Sequence, residues 1–181
     1  MKTIAKWSVE DYHQMINAGI LNERRVELLA GEIIEMSPET PIHYNTAKRG
    51  SKYLEELLVG KAEVRFNGLI TLLNSEPEPD IAIVRLPESR YDARHPRAKD
   101  IFWLIEVANT SQKKDLGLKK ELYAIAQIQE YWVWDLIARN MTVFRGPSKS
   151  SYLVQQEITQ GEITPLAFPD IKVSVERLFR M

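Results

Sequence analysis

The run Ile101-Phe102-Trp103-Leu104-Ile105 is apolar at five consecutive positions and stops at Glu106. A strand with one wet face alternates polar and apolar residues, whereas one that is apolar throughout has to be covered on both faces. The run therefore predicts a central strand over residues 101–107 in a sheet with helices on its faces. An acid at the end of such a strand stands where an unpaired charge costs several kcal/mol, so Glu106 asks for a partner.

The flanking segments supply the rest of that sheet. Leu118, Leu122 and Ile125 form one stripe across residues 115–128, which predicts a helix, and Tyr131-Trp132-Val133-Trp134 follows as a strand capped by Asp135. Upstream, residues 43–58 carry Ala47, Tyr53, Leu54, Leu57 and Leu58 at helical spacing. Alternation through Val64, Phe66 and Leu69-Ile70 predicts a strand in 62–73, and Asp80-Ile81-Ala82-Ile83-Val84 reads as another after the proline-punctuated segment 74–79. From 43 to 135 the order is helix, strand, strand, strand, helix, strand, a mixed α/β arrangement.

Before this block, Ser8 caps a short helix over about 8–18, with Glu10 and Asp11 in its first turn and Gly19 beyond its end. Residues 26–29 and 32–36 flank Ala30-Gly31 as a β-hairpin, and Pro38 and Pro41 read as breaks. Residues 87–100 read as a surface loop, and further strands are expected at 141–144, 152–157 and near 171–175. With 181 residues, one domain spanning 1–181 can bury roughly two-thirds of its unfolded surface.

The chemistry is constrained by what is missing. There is no cysteine, which removes disulfides and thiolate chemistry and fits a cytoplasmic protein; no stretch approaches the ~20 apolar residues of a membrane span. Any metal must be held by oxygen or imidazole. Lys plus Arg (24) nearly balance Asp plus Glu (25), so binding to nucleic acid has to come from local basic clusters. Arg85, Arg90, Arg94, Arg97 and Lys99 form one such cluster, in a loop whose ends are expected near the acids, and Lys113-Lys114 with Lys119-Lys120 form another.

Asp80 at the head of one strand and Glu106 at the tail of the next are hard oxygen donors suited to Mg²⁺ or Mn²⁺. Such an ion polarises a phosphoryl oxygen and lowers the pKa of its water. A lysine beside it orients that water or offsets charge in the transition state. Asp115, Lys119 and Tyr123 share a helix face at i, i+4 and i+8, while Lys120 is rotated by about 100°, which selects Lys119.

Pro79-Asp80, Glu106-Val107-Ala108-Asn109-Thr110-Ser111, the Asp115, Lys119, Tyr123 spacing and Glu130-Tyr131-Trp132-Val133-Trp134-Asp135, with the hairpin from Val26 to Ile33 and Ser37-Pro38 before His43, together resemble the Uma-type restriction endonucleases. These are a bacterial branch of the PD-(D/E)XK nuclease superfamily, and the likeness covers roughly residues 8–145. It implies a restriction-endonuclease-like central mixed sheet flanked by helices. It also implies a Mg²⁺- or Mn²⁺-dependent endonuclease acting on double-stranded DNA, and a possible homodimer using the strands after Met141. Asp80 and Glu106, with the main-chain carbonyl near Val107, would bind the metal; Glu27 would be an additional acid, and His43 a contributor from the first long helix.

Two positions depart from that pattern. Ala108 stands where most of the superfamily carries its lysine, so Lys119 has to serve from the following helix, and Gln127 replaces a glycine common in the branch. Other readings stay open. Glu106 and Lys119 can form a buried ion pair and nothing more, Glu27 can pair with Arg24 or Arg25, and His43 can cap or pack. Tyr131, Trp132 and Trp134 are read as sheet packing rather than base stacking. The alternatives to a DNA endonuclease are an inactive nuclease-fold binding or assembly module, or a nuclease acting on RNA.

Overall fold

The computed structural model describes residues 4–109 and 113–179, with the backbone but not the side chains of 113–115. Thr110, Ser111 and the side chains of Lys113, Lys114 and Asp115, all named above, lie outside the described residues. The chain begins with α1 (Val9–Asn17), closed by a capping box in which Ser8 and Asp11 exchange hydrogen bonds. β1 (Val26–Leu29) and β2 (Glu32–Glu35) form the expected hairpin. Ala30 and Gly31 at its tip both have positive φ (49° and 77°), the backbone of a tight hairpin turn. Gly31 is required twice over, since a Cβ there would also press on Lys6 Cβ at 2.9 Å.

α2 (Pro41–Leu57) starts two residues before the predicted helix. Pro41 is its first residue, not a break, because the first turn needs no N–H from that position, and Thr40 caps the helix instead. The six-stranded sheet has the order β3-β4-β5-β6-β7-β8. It comprises β3 (Glu63–Phe66), β4 (Ile81–Val84), β5 (Ile101–Ala108), β6 (Glu130–Asp135), β7 (Asn140–Ser148) and β8 (Ser151–Ile158). β5 and β6 are parallel, joined through α3 (Lys113–Ile125); all other neighbours are antiparallel. The sheet is thus mixed, and β5 lies inside it, buried at all but one of its residues.

Odd-numbered β5 residues Trp103, Ile105 and Val107 join Trp132, Trp134 and Ile83 in one apolar cluster, together with Tyr53, Leu54 and Leu58 of α2 and the turn that follows it. Even-numbered Leu104 joins Ala82, Tyr131 and Tyr123 of α3 on the other face. The two tryptophans of β6 are fully buried. After β8 come β9 (Glu162–Ile163), paired with β10 (Val173–Ser174), and α4 (Val175–Leu178).

Three further expectations change. The strand anticipated in 62–73 covers only Glu63–Phe66; Ile70 packs beneath the α3 face from a loop, where the N–H of Thr71 bonds the Pro96 carbonyl. The strand near 171–175 shrinks to two residues and passes into α4. The basic loop 85–100 is not beside the acids. β4 and β5 pair with Ile81 opposite Ile105 and Val84 opposite Ile101, so the loop leaves the sheet at the other end of both strands, about 13–16 Å from the acids at 3.3 Å per residue.

Candidate active site

Extending the β4–β5 register by one residue sets Asp80 opposite Glu106, the closest relation two strands allow. Asp80 Oδ2 accepts the Val107 N–H at 2.6 Å and lies 3.3 Å from His43 Nε2. The N–H and C=O of one strand residue point to the same side, so the Val107 carbonyl faces this group too, and the Val107 backbone reaches His43. Glu106 Oε1 accepts the Tyr123 hydroxyl at 2.7 Å and lies 3.1 Å from Lys119 Nζ. Lys119 Nζ is also 3.3 Å from Glu27 Oε2 on β1 and donates to the Glu78 carbonyl at 3.3 Å.

The structure therefore brings Asp80, Glu106, Lys119, Glu27, Val107 and His43 to one place. Sequence order alone did not point to Glu78 or Glu39. Glu39 lies 3.7 Å from His43 Nδ1, and Arg25 bridges Glu39 and Glu78 at 2.7 and 3.1 Å. A usable signal existed: Glu78 precedes Asp80 by two residues, and Glu39 precedes His43 by four, one helical turn. Glu27, Glu39, Glu78, Asp80, Glu106 and Lys119 line a cavity of about 100 Å³.

Charge balance separates this cluster from the other buried acids. Glu130 has Arg145 at 2.6 Å, and its carboxylate also accepts the Trp132 indole N–H and the Leu166 N–H. Asp100 has Arg94 at 2.7 Å, and Glu76 has His13 and the Thr71 hydroxyl, each at 2.6 Å. Glu27, Asp80 and Glu106, all buried, gather around the ammonium of Lys119, with the His43 imidazole 3.3 Å from Asp80. Burial pushes the Glu106 carboxyl up to about 7; Lys119 lowers it and Asp80 raises it. Burial by itself would lower the Lys119 ammonium, but Glu106, Glu27 and Asp80 outweigh it and hold it above the usual lysine value. Tyr123 is raised as well, by burial first and by Glu106 second, and stays a hydroxyl donor.

The residues fit a divalent ion by charge and by donor type. Three carboxyls and a main-chain carbonyl are an all-oxygen set with an excess of carboxylates that a dication would offset; the His43 Nδ1, buried with no hydrogen-bond partner, faces Glu39 and not this set. Among the described residues no three His, Asp or Glu side chains are already gathered around a point as ligands. Mg²⁺ does not need such a cage, since one or two carboxylates, waters and a substrate phosphate commonly complete its shell.

A family described as "Uma2: Putative restriction endonuclease" matches residues 9–176. A crystal structure from Anabaena variabilis ATCC 29413, described as a "putative nuclease belonging to DUF820", aligns with a TM-score of 0.70 at 18% sequence identity, covering 87% of this chain and 90% of that one. At that identity the likeness is one of fold. Among curated proteins none matches.

Proposed function

The chain belongs to the Uma2 family of restriction-endonuclease-like nucleases, and on that premise we propose that it is a Mg²⁺- or Mn²⁺-dependent endonuclease cutting double-stranded DNA at the cluster of Asp80, Glu106, Lys119 and Glu27. The observation that supports this most is the crowding of acids: among the described residues three buried carboxyls, Glu27, Asp80 and Glu106, gather around the Lys119 ammonium with the His43 imidazole beside Asp80, whereas Glu130 and Asp100 each have an arginine. Asp80 and Glu106 would hold the ion together with the Val107 carbonyl, and Glu27 would be the further acid beside it. When bound, the ion supplies a Lewis acid for a phosphoryl oxygen and lowers the pKa of a coordinated water.

The remaining roles belong to the protein's own groups. Lys119 is charged throughout the working range, so it donates hydrogen bonds to the attacking water or to the phosphoryl oxygens and does not take up the water's proton. Tyr123 holds Glu106 Oε1, and the Val107 N–H and His43 orient Asp80. Arg25 offsets part of the charge of Glu39 and Glu78 at the rim, two acids that repel an incoming phosphate. Cutting both strands asks for two such centres. β8, at the edge of the sheet with Leu153 and Val154 exposed, is where two copies would pair, which light scattering would read as twice the chain mass.

The test is nicking of supercoiled plasmid. Cleavage is expected to require Mg²⁺ or Mn²⁺ and to fall by at least about 100-fold in Glu106→Ala and in Lys119→Ala proteins, each checked for folding by thermal melting. Metal-independent cleavage, or cleavage indifferent to Glu106, would overturn the assignment. A second reading, a binding module without turnover, draws on Lys119 lying between Glu106 and Glu27, where it offsets part of their charge with no ion. Calorimetric titration with Mn²⁺ separates the two, since this reading expects no heat of binding that depends on Glu106. No helix among the described residues is long and apolar enough to cross a membrane.

A further inference from the structure

The loop that the antiparallel register carries away from the acids builds a second concavity. A cleft of about 740 Å³ opens between α1, β3 and the 91–97 segment, and its lining includes Arg65, Arg94, Arg97, His13 and His95. Only Glu10 and Asp92 oppose them in that lining. The first two guanidinium groups are anchored from behind and by the same edge. Arg65 gives Nη1 to Glu63 at 2.9 Å, and Arg94 gives Nη1 to Asp100 at 2.7 Å and to the His95 carbonyl at 3.0 Å.

Both groups also lie 5.5 Å from the centre of the Tyr91 ring, which restrains them further. Anchoring through Nη1 leaves the Nε and Nη2 edge, the fork that takes two oxygens of an oxyanion at once. Arg65 Nε is buried and has no hydrogen-bond partner, a costly state for a donor with nothing to bind. Arg97 is exposed, and no carboxylate pairs with it among the described residues. His95 is held below the ordinary imidazole value, by burial first and then, against the pull of Glu76, by the charges of Arg65 and His13.

We propose that this cleft is a phosphate-binding site, with Arg65, Arg94 and Arg97 as its donors. Two sources share that chemistry, a backbone phosphate of a nucleic acid strand and the phosphate of a free nucleotide. The first rests on the nuclease reading above and agrees with the geometry. His13 on the cleft wall touches Glu76, and Glu78 touches Lys119 in the acid cluster. Residues 76 and 78 are at most about 7 Å apart along the chain. The two places therefore lie within a few nucleotides of each other, at ~3.4 Å of helix axis per nucleotide of one strand.

The test uses the full chain in EDTA, so that binding is read without cleavage. Affinity for a short labelled duplex is measured across a salt series for the wild type, Arg97→Ala, Arg65→Lys and, as a control on the other face of the sheet, Lys172→Ala. The expected result is weaker binding by about 5- to 10-fold in Arg97→Ala, with the slope of log K against log salt smaller by about 0.9 per lost contact. Arg65→Lys keeps the charge and loses the fork, so it should weaken binding while leaving the slope in place. Unchanged duplex affinity in both variants, with no binding of phosphate or nucleotide that depends on Arg97, overturns the site.

Calorimetry with inorganic phosphate and with thymidine 5′-monophosphate forms the other arm. Binding of either that disappears in Arg97→Ala, with duplex affinity unaffected, keeps the phosphate site and overturns the strand as its source. Absence of plasmid cleavage with a preserved Arg97 effect on the salt slope overturns the nuclease reading and leaves the cleft standing.

Discussion

Glu130 and Glu106 are both buried acids on neighbouring strands, and their surroundings give them opposite meanings. Glu130 is bound by Arg145 and by two N–H groups, and its role is to pin β6 to β7 and to the segment at Leu166. Glu106 shares one ammonium with two other carboxyls. The difference gives a prediction at a residue outside the proposed ligand set. Tyr123→Phe removes the hydroxyl that holds Glu106 Oε1, so cleavage should fall by about 10-fold while duplex affinity in EDTA stays the same, as expected for a positioning group behind a metal ligand. Equal loss of affinity would show Tyr123 acting on binding instead. Asp80, Glu106 and Lys119 could be named from residue type and order, and Glu27 from the family resemblance. Glu39, Glu78 and Arg25 were not: the spacings of Glu78 from Asp80 and of Glu39 from His43 only hint at them, and little else local distinguishes an acid at the rim of a site from any other surface glutamate.

The elements were legible wherever local chemistry and packing agreed. Ser8 caps α1 and Ala30-Gly31 turns the hairpin. Pro41 misled because a proline breaks a helix interior but suits a helix start. The departure at Gln127 also gains a cause: the residue ends α3 with φ of 60°, a conformation that glycine adopts freely and other residues adopt at a cost of about 1–2 kcal/mol. Gln127→Gly should therefore raise stability by up to about 1 kcal/mol, read from the urea midpoint at constant m value. At Gly50 the opposite holds. A Cβ there would overlap the six-membered ring of Trp134, so Gly50→Ala forces α2 off the sheet and should cost about 1–3 kcal/mol. An unchanged midpoint would mean that α2 and β6 are not in contact.

At the scale of the whole molecule, acid stability should follow Asp100, which ties the 85–100 loop together. Burial alone would raise its carboxyl, but the hydrogen bonds from the Arg94 guanidinium and the Arg97 N–H outweigh it and hold it below the usual value. A depressed native value means that the unfolded chain takes the proton first. Its contribution is therefore complete above the unfolded value of about 3.9 and disappears as pH falls through the native one. Asp100→Asn should be destabilised at pH 7 by about 1.5–3 kcal/mol, and its melting temperature should approach that of the wild type below about pH 4. A constant gap between the two curves would exclude this origin.

Periodicity and residue order determined, without any coordinates, that β5 is a covered central strand, that helices lie on its faces and that Asp80 and Glu106 end adjacent strands. Those properties depend on neighbours a few residues away, which every stretch of chain carries with it. Which acids crowd together, where the basic loop goes and which residues wall the cleft were decided only by tertiary structure. Strand register, hairpin docking and the path of the 69–78 loop set these distances between groups remote in the chain, and local sequence holds no measure of them.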